Sequence, residues 1–263
     1  MITVKSAREV ETMARAGRVV ADALALVRAQ AAPGVSTWEL DRQAEAFIRA
    51  HAGATPSFKG LYGFPASLCT SINAEVVHGI PSKKRVLREG DILSVDCGVC
   101  MSGLHADSAI TAAVGRVAPE TQALLDATQR ALEAGIAAAR SGGQVGDIGA
   151  AVQEVAEGAG FSVVRELVGH GIGTQFHEEP QVPNFGRRGT GARLVPGMTI
   201  AIEPMVNAGA PAVRTLSDHW TVVTADGALS AHFEHTVVIA QDGPRILTRA
   251  EVAVGAAHSI STS

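Results

Sequence analysis

Leu87-Arg-Glu-Gly90-Asp-Ile-Leu-Ser-Val-Asp96 and Leu194-Val-Pro-Gly197-Met-Thr-Ile-Ala-Ile-Glu203 are one pattern written twice. In each copy a leucine and a glycine precede a strand of matching alternation that closes on a carboxylate. The copies lie 107 residues apart. The same offset pairs Ala52-Gly53 with Ala159-Gly160, each closing a helical stretch, and His78-Gly-Ile80 echoes His170-Gly-Ile172 more loosely. Three features in one order make duplication a better reading than chance. Two related halves are expected, each built as helix, helix and strands, packed around a shared centre.

Local signals fill in that rhythm. Ser6-Ala-Arg-Glu9 is a capping box, so a helix is predicted over 7–30 and stopped by Pro33-Gly34. Ser36-Thr-Trp-Glu39 is a second box, and Leu40, Ala44, Phe47 and Ile48 mark one apolar face of a helix ending near Gly53. Strand-like runs follow over 67–77, then a hairpin over 91–114 with its turn at Met101-Ser102-Gly103. The second half predicts helices over 119–140 and 147–159, separated by Ser141-Gly142-Gly143. Strands are predicted over 161–168, 199–202, 220–224 and 232–239. The whole reads as a single domain over 1–252, with halves about 1–117 and 118–252, and a loosely held tail over 253–263.

Composition narrows the function classes. The chain has 263 residues, 46% hydrophobic and 18% charged, with a formal net charge of -4. That is ordinary globular composition with no basic field to hold nucleic acid or a membrane surface. No stretch approaches the roughly 20 apolar residues of a membrane span, and no signal peptide is evident. Three cysteines (Cys69, Cys97 and Cys100) suit a reducing cytoplasm better than a disulfide framework. Cys97 and Cys100 form a lone CxxC, a weak motif read here as ordinary strand and turn residues.

The chemistry lies at the ends of the repeated strands. Alternation puts Ser94, Asp96 and Gly98 on one face, and a turn centred near Met101-Ser102 brings Asp107 almost opposite Asp96. Like charges facing across a sheet repel, so the pair is either solvated at an edge or bridged by a cation. Glu203 follows the apolar Ile200-Ala-Ile202, and Glu234 lies inside Ala231-His-Phe-Glu-His-Thr-Val-Val-Ile239, an otherwise buried pattern. Burying several isolated carboxylates is prohibitive without a metal. His170, inside the glycine-rich Val168-Gly-His-Gly-Ile-Gly173, adds a nitrogen donor. Four carboxylates balance two divalent cations, and an oxygen-rich set with one imidazole suits manganese, iron, cobalt or zinc. Two such ions about 3.5–4 Å apart can share and activate a water. The residues alone therefore reach a dinuclear hydrolase and no further. Structural calcium is the weaker option, because of the buried strands and His170.

Four segments carry a family resemblance. Asn73-Ala-Glu-Val-Val-His78-Gly-Ile-Pro81, Gly169-His-Gly-Ile-Gly173 with Phe176-His-Glu-Glu-Pro180, Gly197-Met-Thr-Ile-Ala-Ile-Glu-Pro-Met205, and Phe233-Glu-His-Thr236 resemble the signatures of type I methionine aminopeptidases. The resemblance implies the α+β pita-bread fold, two pseudo-symmetric halves with helices covering a curved antiparallel sheet. It also implies removal of the initiator methionine, ahead of a small second residue, from nascent chains at the ribosome, by a cytoplasmic enzyme for which a monomer is adequate. Asp96 with the bridging Asp107 and Glu234 would hold one metal, and His170 and Glu203 with the same pair the other. Glu203 would also be the general base, His78 would contact the scissile peptide or leaving amine, and His177 would donate to the developing oxyanion. Phe64, Cys69, Phe176 and Trp220 would line the methionine pocket, and backbone carbonyls near Asn73, Glu75 and Ser230 would bind sodium or potassium.

The sequence also departs from the family. Leu61 and Tyr62 stand where the family often has an aromatic at the pocket mouth, and Phe58-Lys59 precede them without its common cysteine. With no zinc-finger extension or long insert, the short bacterial form is expected. His232 and His235 read as structural neighbours of Glu234. Two alternatives stand beside this reading: an Xaa-Pro aminopeptidase or prolidase-like peptidase, and a non-catalytic pita-bread module that binds a partner.

Overall fold

Both halves open with a helix pair. In the computed structural model, which describes residues 2–249, α1 spans Ala7–Gln30 and α2 spans Thr37–Arg49. The tail expected over 253–263 lies outside the described residues. Ser6 and Ser36 each accept the N–H of the third helical residue, while Glu9 and Glu39 reach back to the cap N–H. These reciprocal bonds satisfy donors that a helix start otherwise leaves orphaned.

In the second half, α3 spans Pro119–Ala138 and α4 spans Val145–Gly158. Proline suits the first turn of α3, where its missing N–H would have had no partner. Against expectation α3 ends two residues early, because Gly143 N–H bonds Arg140 O at 3.0 Å and turns the chain. Helix α4 starts two residues early: Gln144 is its cap, and Asp147 completes the box three residues in.

Duplication is visible in the backbone. Gly90 and Gly197 have φ of 89° and 88°, a left-handed conformation that a side chain strains, so matching turns need matching glycines. The lone bridges Ser36 to Val86 and Gln144 to Arg193 tie each helix pair to its half in the same way.

The first-half sheet is organised around strand Ile92–Met101, which pairs with Ala54–Pro56, Leu68–Ile72 and Leu104–Ala113, all antiparallel. Ser102 and Gly103, at φ 52° and 77°, form the hairpin turn. Two positive φ values match a two-residue turn to the twist of its strands. This centre lies one residue beyond the expected one. Asp107 therefore faces Gly98, and Asp96 faces Ala109. The two aspartates share a face as diagonal neighbours rather than directly opposed.

The second half forms a five-stranded antiparallel sheet in the order Gly243–Ile246, His235–Ala240, Thr199–Ile202, Gly169–Gly171, Glu178–Val182. Two three-stranded sheets complete the molecule; one pairs Ser230–His232 and Ser162–Val163 with Met205–Asn207, the other joins Val213–Thr215, Val222–Thr224 and Glu75–Val77. The run predicted over 161–168 is strand only at Ser162–Val163, and that over 220–224 only at Val222–Thr224. The strand predicted over 232–239 breaks at Phe233-Glu234, because Glu234 N–H leaves the ladder for Ala109 O at 2.9 Å.

Helices cover one side of the two larger sheets. Helices α1 and α2 pack on Val95, Cys97, Val99 and Ala106. Helices α3 and α4 supply Leu132, Ile136 and Ile148 to a core with Ile200, Ile202, Val237 and Ile239.

Candidate active site

The halves are joined where their carboxylates meet. Thr236 Oγ1 accepts Asp107 N–H at 2.9 Å and donates to Asp107 O at 2.8 Å. Thr111 does the same for His232, accepting its N–H and donating to its carbonyl, both at 2.8 Å. With Glu234 N–H on Ala109 O, these bonds hold strand Leu104–Ala113 against the 230–240 segment. Asp107 and Glu234 are thereby fixed side by side at 3% and 1% exposure. Sequence reasoning missed Thr111 and Thr236, since threonine in a strand needs no explanation beyond its propensity.

Ligand atoms of Asp107, His170 and Glu234 all lie within 4.8 Å of one another. The Asp96 carboxyl hydrogen-bonds to Asp107, and a Glu203 oxygen lies 3.7 Å from His170 Nε2. All five residues singled out as ligands are thus gathered in one place. Asp96 Oδ1, Asp107 Oδ1 and Glu234 Oε1 are buried without a hydrogen-bond partner among the described residues. Buried acceptors in native proteins are normally paired, and three orphans around one point are acceptors that a cation would satisfy. His170 fits as well: its Nδ1 lies 2.9 Å from Gly171 O, so Nδ1–H donates there and leaves the Nε2 lone pair facing the carboxylates. The donor set fits divalent metal, and no thiolate is needed.

Burial sets the electrostatics. It raises Asp96 to about 7, against the lowering effect of its hydrogen bonds from Asp107 and Cys97 N–H. Burial and then repulsion among the carboxylates push Asp107, Glu203 and Glu234 well above the usual carboxylate range. The histidines move the other way. Burial, then neighbouring imidazoles, lowers His78 and His170 to about 4 and His232 to about 3, and burial lowers His177. At neutral pH these rings are uncharged and can both donate and accept.

A cavity of about 310 Å³ opens onto the cluster. Its walls include Phe64, Cys69, Phe176 and Trp220, the four predicted pocket residues. Phe64 meets Trp220 edge to face at 5.1 Å, and Phe58 meets Phe176 in the same way at 5.3 Å. Trp220 is therefore a wall of the cavity rather than a core filler. His78 and His177 line the same space. His78 sits at φ 60°, a strained conformation of the kind that concentrates at functional sites. Tyr62 stacks on His177 with centroids 5.8 Å apart, so an aromatic does stand at the mouth. His232, read from sequence as a neighbour of Glu234, lies with Nε2 3.8 Å from a Glu203 oxygen.

The three residues read as a monovalent-cation site are less uniform. Asn73 O accepts Ser230 N–H at 2.9 Å, which brings those two together. The Glu75 side chain accepts Ile72 N–H at 2.8 Å and pairs with Arg85.

Comparison with known proteins fits this geometry. The profile of metallopeptidase family M24 matches residues 11–241. A methionine aminopeptidase of Clostridium perfringens is 52% identical over 94% of this chain and 99% of its own length. The crystal structure of a methionine aminopeptidase from Thermotoga maritima superposes with a TM-score of 0.93 at 43% identity, covering 95% of this chain and 100% of that one. An Xaa-Pro dipeptidase from Bacillus anthracis shares the fold alone: TM-score 0.75 and 21% identity over 94% of this chain and 62% of that one.

Proposed function

The chain belongs to metallopeptidase family M24, among its methionine aminopeptidases, and we propose that Asp96, Asp107, His170, Glu203 and Glu234 are its metal ligands. It has the pita-bread fold and is a metal-dependent hydrolase that removes N-terminal methionine. The ligand assignment is carried by one observation: three buried carboxylate oxygens without partners, beside an imidazole whose Nε2 faces them. In our reading these five residues would hold two ions of manganese, iron, cobalt or zinc, with Asp107 and Glu234 serving both, Asp96 one, and His170 with Glu203 the other.

When bound, the ions supply Lewis acidity, which makes water nucleophilic at neutral pH and polarises the scissile carbonyl. The chain's own groups do the rest. The methionine side chain enters among Phe64, Cys69, Phe176 and Trp220, soft walls suited to a thioether. Glu203 takes the proton of the attacking water at its carboxylate and hands it to the leaving amine as the C–N bond breaks. His177 N–H donates to the carbonyl oxygen as it becomes negative. His78, uncharged, holds the scissile amide or departing amine. Tyr62 over His177 narrows the mouth, which supports a requirement for a small second residue. Backbone carbonyls near Asn73, Glu75 and Ser230 would take sodium or potassium, a reading supported by the contact between Asn73 and Ser230.

The substrates in this reading are newly made polypeptides at the ribosome, met in the cytoplasm by a monomer. No described helix is long and apolar enough to cross a membrane. The test is release of the first residue from Met-Ala-Ser, Met-Leu-Ser and Ala-Pro-Ser with added manganese, cobalt or iron, and again after chelation. Chelator-sensitive cleavage of Met-Ala-Ser alone supports the reading. Cleavage of Ala-Pro-Ser would move it to the prolidase-like relatives, and no cleavage with any metal would favour a binding module.

A further inference from the structure

Lys5 belongs to the segment before α1, yet it is 8% exposed. Its ammonium pairs with the Glu178 carboxylate, and the two side chains are 5% and 6% exposed. The Thr3 hydroxyl bonds both partners, and Lys5 N–H is tied to Gly197 O at 2.8 Å. The other Glu178 oxygen accepts Gln175 N–H at 3.1 Å and the Thr174 hydroxyl at 3.4 Å. One carboxylate thus gathers the turn over 174–178, and Lys5 neutralises it. Burial pushes Glu178 up, but the bonds from Lys5 and Thr3 outweigh that and hold it below the usual glutamate range.

The path for the lysine is built in. A Cβ on Gly173 would stand 2.2 Å from Lys5 Cε and 2.5 Å from Nζ, so the side chain runs through space that only glycine leaves open. Ordering and burying a lysine loses rotamer freedom and hydration, and a buried pair seldom stabilises more than apolar packing would. Such a pair is better explained by the geometry it imposes. The turn it organises carries Phe176 and His177. The His177 ring packs on His170, Phe176 and Tyr62 and meets the exposed Tyr62 hydroxyl at a long 3.4 Å, so its aim follows the turn that carries both it and Phe176.

The geometry points to Lys5 as a positioning residue: its contact with Glu178 sets the turn that aims His177 at the carbonyl oxygen. This rests on the oxyanion role proposed above for His177. The test is a double-mutant cycle on Met-Ala-Ser hydrolysis with Lys5→Met, His177→Ala and the pair, in manganese-loaded protein. Lys5→Met should lower kcat about 10- to 100-fold, as a misaimed group does, with KM within about twofold. In the His177→Ala background the same change should lower kcat by less than about twofold, since the group it aims is gone. Equal losses in both backgrounds, or no loss in Lys5→Met alone, would overturn the inference. Should Lys5→Met fail to melt cooperatively, Thr3→Val goes through the same cycle, with about a threefold fall expected only when His177 is present. If His177→Ala itself leaves kcat intact, the oxyanion reading fails and takes this inference with it. If only His177→Ala is slow, the inference falls alone.

Discussion

Loading the metal-free protein with manganese at pH 7 should release protons, at least about half of one per chain from Asp96 alone. Asp96, raised by burial to about 7, is half protonated there, and burial and then mutual repulsion push Asp107, Glu203 and Glu234 well above the usual carboxylate range in the same direction. Ligation needs ionised carboxylates, so these protons leave as the ions enter. His170 adds none, because burial and then His177 hold it at about 4 and it is already neutral. The sign follows: protons leave on binding, so affinity must rise with pH. Each proton released means about a tenfold change in affinity per pH unit. Titration calorimetry in three buffers of different ionisation enthalpy reads the count as a slope. Asp107→Asn should lower that count. Release of less than about half a proton, or affinity flat from about pH 6 to 8, would refute the claim that buried carboxylates hold protons where the metal sits.

Three further outcomes test separate parts of the molecule. His177→Ala should lower kcat about 10²–10³-fold with little change in KM; an effect confined to KM in steady-state assays would make His177 a binding residue. Gly98→Ala would put a Cβ 2.9 Å from Phe58 Cε1 and 3.0 Å from Phe176 Cε2. Because carbon contacts prefer about 3.5–4 Å, the crowding should destabilise by about 1–3 kcal/mol and raise KM for Met-Ala-Ser through the displaced pocket wall, whereas an unchanged Tm and KM would contradict it. Asp41 Oδ1 accepts Ser67 N–H and Leu68 N–H, both at 2.9 Å. Asp41→Ala leaves these buried donors unpaired and should cost at least about 2 kcal/mol in urea unfolding, and a smaller loss would mean that water replaces the carboxylate.

Much of the fold was legible because its signals are local. The boxes at Ser6 and Ser36 place the starts of α1 and α2, since capping involves only residues three apart. Alternation along 94–99 sorts Val95, Cys97 and Val99 to the helix-covered side and Asp96 to the other, because a strand has a period of two. The site was legible for a related reason: carboxylates in apolar strands conflict with their surroundings, and a cation resolves the conflict. Where signals were not local the reading slipped. The hairpin centre moved by one residue, and the diagonal placement of Asp96 and Asp107 followed from two positive φ values.

By itself, then, the sequence determined the helices, the duplication and the identity of five metal-ligand candidates, each through short-range periodicity, capping or an out-of-place charge. Only the tertiary structure decided how those charges meet. Glu234 leaves its strand because its N–H finds Ala109 O in the other half, and Thr236 locks Asp107 across 129 residues of chain. Likewise Lys5 is buried only because Gly173 leaves room for it beside Glu178. Such pairings depend on which backbone groups and side chains the packed halves bring within hydrogen-bonding distance, and no sequence period encodes that.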